Sequence, residues 1–124
     1  MEFTATLQQN AATVTSTLNA ASFSVNDGWC DAQFKLTSTA AGGAGLITVA
    51  LSGVPALLGD LSLADGQFFY NDVSAGRYEG TIRISSAGVM SFRVDNSTAD
   101  LGTSPSFLVA STDELSCSFR FPVA

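Results

Sequence analysis

Leu115-Ser116-Cys117-Ser118-Phe119-Arg120-Phe121-Pro122-Val123 decides the fold class. Leu115, Cys117, Phe119, Phe121 and Val123 alternate with Ser116, Ser118, Arg120 and Pro122. Only a strand puts such alternate residues on one face, so this run has one buried and one wet side. Pro122 lacks a ladder donor and belongs at a strand end or an edge.

The same period recurs upstream. In Trp29–Thr37, Cys30, Ala32, Phe34 and Leu36 share a face against Trp29, Asp31, Gln33, Lys35 and Thr37. Gly80–Ser85 turns Ile82 and Ile84 inward, and Gly88–Val94 turns Met90, Phe92 and Val94 inward. Ser85–Gly88 joins these two runs as a hairpin loop ending in glycine. Gly45–Ser52 is more continuously apolar, as in a central strand. In Gln67–Asn71, Phe68, Phe69 and Tyr70 place apolar groups on both faces, so one face must meet something beyond the domain's own core. Ser106–Ala110 is a weaker strand candidate, and Val54–Leu63 reads as a loop with one short strand.

Turn signals punctuate these runs: Asn26-Asp27-Gly28, Ala41-Gly42-Gly43, Ser52-Gly53-Val54-Pro55, Ala64-Asp65-Gly66, Ser74-Ala75-Gly76, Ser86-Ala87-Gly88 and Asp95-Asn96-Ser97. Their spacing suits sandwiches and barrels, and no segment carries an apolar stripe of helical period. The expected architecture is all-β, an antiparallel two-sheet β-sandwich of jelly-roll type with about eight strands. Residues 1–10 read as an N-terminal arm or first edge strand, with Phe3, Ala5 and Leu7 alternating against Glu2, Thr4 and Thr6. Gln8-Gln9-Asn10 forms a polar break, and residues 11–124 form the sandwich domain. An arm of this kind pairs with its own sheet or with a neighbour's edge.

With 124 residues the chain is one domain. Charged residues make up 13%, against about 25% in an average protein. No apolar run approaches the length of a membrane helix. A surface so poor in charge is either rich in Ser, Thr and Ala or partly covered by other subunits, and its weak protection against association favours the second. Met1–Leu7 lacks the basic and apolar regions of a secretory leader, so folding in a reducing cytoplasm is expected. Net charge is −6, and the five cations Lys35, Arg77, Arg83, Arg93 and Arg120 are scattered. No basic stripe can be assembled from them, so nucleic acid is not an expected partner. A membrane is not one either.

The chain contains no histidine. That removes the commonest general base and metal ligand. Cys30 and Cys117 alone cannot complete a usual zinc set. Both fall on inward faces, as packed thiols or, if their strands bring them together, as a disulfide. Asp60, Asp65 and Asp72, and separately Asp95 and Asp100, lie in turn-rich segments where aspartate is an ordinary turn former. Calcium ligation and paired-carboxylate hydrolysis are the sharper readings of them, and no EF-hand-like spacing exists to support the first. Trp29, Phe69, Tyr70 and Tyr78 are core or subunit-contact aromatics, or a sugar platform. Asn96-Ser97-Thr98 fits a glycosylation sequon but lacks a secretory context. Gly42-Gly43-Ala44-Gly45 lacks the Lys-Ser/Thr of a phosphate loop. No catalytic residue, metal or cofactor is expected.

The order of features is itself informative. Gly28-Trp29-Cys30-Asp31-Ala32-Gln33-Phe34 opens a strand, a Thr/Ser/Ala/Gly-rich turn follows, and an apolar strand ends in Gly53-Val54-Pro55. An aromatic strand comes next, then Gly80–Val94, and Asp113-Glu114-Leu115 precedes the last strand. This order is similar to small β-sandwich domains of tailed-bacteriophage virion proteins, at minor tail and fibre tips or on capsid surfaces. The resemblance implies a non-enzymatic component, commonly a homotrimer, assembled in the host bacterial cytoplasm and resident in the virion. It carries over no catalytic residue. Fibre domains of this kind follow a long shaft, and only a short segment precedes Trp29. The expected role is therefore a capsid decoration (cement) protein bound to the major capsid protein, with a receptor- or carbohydrate-binding tail tip as the alternative. Phe3 and Leu7 in the arm, with Trp29, Phe69 and Tyr70, are the expected contact residues.

Overall fold

The computed structural model describes residues 1–56, 58, 61–73, 75–95, 100–103 and 108–123, with backbone alone for 61–65. Among them nine strands form: β1 (Thr4–Gln9), β2 (Ala12–Thr13), β3 (Ser16–Asn26), β4 (Trp29–Ser38), β5 (Ile47–Ser52), β6 (Leu61–Asp72), β7 (Gly76–Ile84), β8 (Val89–Val94) and β9 (Glu114–Pro122). Every pairing is antiparallel. The described residues contain no helix.

The strands hydrogen-bond into one continuous sheet in the order β2-β1-β5-β8-β7-β6-β9-β4-β3. The sheet curls until its ends meet. Phe23 N–H donates to the Met1 carbonyl at 2.8 Å, and the Met1 ammonium donates to the Phe23 carbonyl at 3.1 Å. Inside the curl, the ring of Phe3, just before β1, lies 6.2 Å from both Phe23 and Phe34. Phe68 and Phe92 meet at 5.1 Å, and Phe119 stacks on Phe121 at 5.9 Å. Each buried ring contributes about 1.5–3 kcal/mol of burial.

The parity read from sequence holds along β4, β7, β8 and β9, whose inward residues are all buried except Val94, which is partly so. Pro122 ends β9. Asp27 (φ 52) and Gly28 (φ 80) form the tight β3–β4 turn that an Asp-Gly pair favours. The Ser85–Gly88 hairpin closes with Gly88 N–H on the Ser85 carbonyl at 2.9 Å.

Several expectations change. Ala64-Asp65-Gly66 is not a turn, because β6 runs through it and absorbs the irregularity as register shifts against β7. The eleven-residue β3 was not legible, since Phe23 is its only buried side chain. Residues 108–110 are not strand. Asp60, Asn96-Ser97-Thr98 and residues 106–107 lie outside the described residues.

The N-terminal residues are part of this sheet. β1 pairs with β5 from Thr4↔Ser52 to Gln9↔Ile47, and Phe3 and Leu7 are 5% and 2% exposed.

Candidate functional site

The outward residues of β3, β4, β9 and β6 form a grid. One row runs Ser24, Asp31, Arg120, and the next Ser22, Gln33, Ser118, Gln67, by direct cross-strand pairing. The side chains are short or planar because the wet parity of each strand carries Ser, Asp, Gln or Arg. They leave a groove of about 430 Å³ lined by Ser22, Ser24, Asp31, Gln33, Ser118 and Arg120. Gly66 also lines it. A Cβ at Gly66 would collide with the Ser118 carbonyl and lie 2.6 Å from Phe119 Cα, so only glycine lets β6 run so close to β9 here.

Beside the groove, Trp29 opens β4 with 37% of its surface exposed. The Arg120 guanidinium lies over its ring at 4.5 Å and reaches Asp31 Oδ1 at 3.4 Å. The cation is thus shared between a π-face and a carboxylate, both well solvated, so the pair orders the surface more than it stabilises the fold. Gln33 Nε2 donates to Ser22 Oγ at 3.4 Å. Further along the face, Lys35 pairs with Glu114 at 2.9 Å and Arg77 lies 5.7 Å over Phe69. Positive charge on this face is matched locally, so the groove offers both donors and acceptors without a dominant sign.

The expected contact residues separate. Trp29 and Phe69 both face outward, but Trp29 pairs with Pro122 and Phe69 with Ser116, about 20 Å apart along β9. Phe69 is half-buried beneath Arg77. Tyr70 is 1% exposed and faces Tyr78 across β6 and β7, so the four aromatics do not make one platform. Phe3, Leu7 and Tyr70 are core residues of the described fold. None offers surface to a partner while β1 and β6 stay in place.

The acidic side chains among the described residues do not converge either. Asp72 is buried, Asp95 is exposed, and Asp100 sits 3.9 Å from Arg93. Among the described residues no group of three or more His, Cys, Asp or Glu is placed to hold a metal ion.

Cys30 and Cys117 are free and buried. Cys30 pairs with Phe121 and Cys117 with Phe34, so they face inward on adjacent strands about 13 Å apart in register. A disulfide needs Cα atoms within about 7 Å. Burial pushes both thiols above their usual range, helped at Cys30 by the Asp31 carboxylate.

Two buried polar side chains were not singled out by the sequence. Asp113 is 2% exposed. Its Oδ2 accepts from Tyr70 Oη at 2.7 Å and Ala110 N–H at 3.0 Å, and its Oδ1 accepts from Val73 N–H at 3.1 Å. Burial first, then the hydrogen bond to Asp113, pushes the Tyr70 hydroxyl far above its usual range. Gln9 is fully buried, donating to the Gly45 carbonyl at 3.1 Å and accepting from Val109 N–H at 2.9 Å. Both tie loops to the sheet, which is a structural task. Their only sequence signal is polarity at an inward position (Gln9) or just before a strand (Asp113).

No protein-family model, curated protein or solved structure matches the chain.

Proposed function

We propose that this protein is a non-enzymatic contact module of a tailed-phage virion, a decoration protein that binds the major capsid protein on the outer shell as a homotrimer and stabilises it by added interface. The observation that carries the reading is a partly exposed apolar rim at one end of the sheet, by the β3–β4 turn and the end of β9. Val25, Trp29 and Leu58 are 39%, 37% and 61% exposed. Trp29 pairs with Pro122, whose carbonyl accepts Leu58 N–H at 3.1 Å. Val25 has the parity of Cys30 and Trp29 the opposite one, so exposed apolar groups occur on both sides of this rim, which suits a protein interface. We read β3-β4-β9-β6 and β1-β5-β8-β7 as the two layers of a jelly-roll-like sandwich, with the β6–β7 hairpin as the bend between them.

The test is binding to purified shells that lack the protein. Val25→Asp with Leu58→Asp should abolish sedimentation with shells while leaving the circular dichroism spectrum intact. Undiminished binding by that variant would sink the reading. Copy number separates the roles: hundreds per virion place the protein on the shell, a handful at a tail tip.

The groove favours a second reading, a receptor-binding tip for a neutral polyhydroxylated ligand. Its volume of about 430 Å³ lies within the usual small-ligand range of about 300–1,000 Å³. Serine hydroxyls, Gln33 and the Asp31–Arg120 pair can each meet a sugar hydroxyl. Glycan-array binding lost in Gln33→Ala supports this reading, and an array without signal rejects it.

A further inference from the structure

The sheet closes on itself imperfectly, and the fault lies beside β1. On one side β1 carries a full ladder to β5, from Thr4↔Ser52 to Gln9↔Ile47. On the other side it is held only at its ends. At one end are the Gln8↔Thr13 and Gln9↔Ala12 pairs with β2 and the Val14 N–H to Leu7 carbonyl bond at 2.9 Å. At the other end is the Met1–Phe23 pair. No ladder joins Thr4–Thr6 to β3. Just before β1, a cleft of about 200 Å³ separates Glu2 and Phe3 from β3, its other wall being Leu18, Asn19, Ala20 and Ala21. The register of β3 slips between Leu18 and Ala20 at this point.

The link that returns the chain from β1 is strained. Asn10 and Ala11 both adopt left-handed backbone, with φ of 53 and 62. Asparagine tolerates this conformation, but alanine carries a Cβ that meets the following carbonyl. A two-residue hairpin of this kind asks for glycine at the second position. A strained short hinge favours exchange of the element it tethers. The seam is lightly guarded: residues 3–7 and 16–24 contain no charge and no proline, which leaves Glu2 and the register slip in β3.

We propose that β1 is an exchangeable strand. Residues 1–9 leave their own sheet about a hinge at Asn10–Ala11 and fill the same slot, between β5 and β3, in a second copy of the chain. The occupant is fixed by complementarity already present, because the slot fits this strand and its inward Phe3, Ala5, Leu7 and Gln9. Exchange keeps the β5 ladder and the buried side chains while releasing the left-handed Ala11. The partly unzipped seam lowers the barrier to departure. The inference deepens the oligomer of the proposed function but needs only self-association, so it stands or falls independently of capsid binding.

The test uses the full chain with Thr4→Cys and Ser52→Cys, an exposed cross-strand pair. The native thiols, both buried, stay out of the reaction. Oxidation of the purified oligomer should give covalent multimers on a non-reducing gel, each bond joining residue 4 of one copy to residue 52 of another. Thr6→Cys with Ala50→Cys samples the same ladder should the first variant misfold. Ala11→Gly, which relieves the strain, should lower the oligomer fraction severalfold at fixed concentration. Bonds formed within single chains, a protein that stays monomeric when concentrated, or an oligomer fraction indifferent to Ala11→Gly would each overturn the proposal.

Discussion

Replacing Asp113 by alanine should be among the most damaging single changes in this fold. The carboxylate takes three donors: Tyr70 Oη, Val73 N–H and Ala110 N–H. Hydrogen bonds to a charged group each contribute about 1.5–3 kcal/mol, and a buried group left unpaired costs about 1–3 kcal/mol. Tyr70 is 1% exposed, so its hydroxyl loses the Asp113 bond without regaining bulk water. The two amides are only part-buried and recover water. Together these give a loss of about 3–5 kcal/mol for Asp113→Ala, a large share of a typical domain's stability. Tyr70→Phe keeps the two amide bonds and should cost about 1–2 kcal/mol. Both single variants remove the same Tyr70–Asp113 bond, so the loss in the double variant should fall short of the sum by about 1–2 kcal/mol. Urea unfolding followed by far-ultraviolet circular dichroism measures all three, with unchanged slopes marking a pure stability effect. Additive losses, or a loss below about 1 kcal/mol for Asp113→Ala, would refute the buried latch.

Other outcomes follow from the same packing. Tyr70 is held protonated in the fold, whereas an unfolded tyrosine titrates near pH 10. Stability from this group is therefore complete below about pH 10 and declines as pH rises further, by up to about 1.4 kcal/mol per unit; Tyr70→Phe should remove that part of the alkaline slope in urea titrations. Cys30 and Cys117 should resist a thiol reagent in the native protein and react together on denaturation, and rapid native labelling of either would contradict its burial. Gly66→Ala should cost about 3 kcal/mol, because a Cβ meets backbone that cannot give way; an unchanged urea midpoint would show that β6 can shift away from β9.

Much of the strand content was legible because side-chain parity is a local property. Leu115, Cys117, Phe119 and Phe121 face inward whichever strands lie beside them, since an alternating strand has one way to bury them. The same reasoning put Trp29 outward and marked the Asp27-Gly28 turn. β3 escaped because its outward and edge positions carry small polar residues that leave no apolar pattern. The Ala64-Asp65-Gly66 segment misled because glycine served a close approach between strands rather than a turn.

Adjacency was not legible, because it depends on which distant segments the curl brings together. Arg120 covers Trp29 only because β9 lies beside β4 in a register that sets Asp31 opposite Arg120. That same register keeps Cys30 and Cys117 apart, although each was correctly turned inward. Phe3 and Leu7 read as an apolar stripe free to reach a partner, but the curl gave that stripe a core of its own against β3 and β4. Composition and alternation were enough for an all-β chain with one greasy and one wet face. The long-range pairing alone chose which greasy residues are spent inside, and where the sheet is left incompletely sealed.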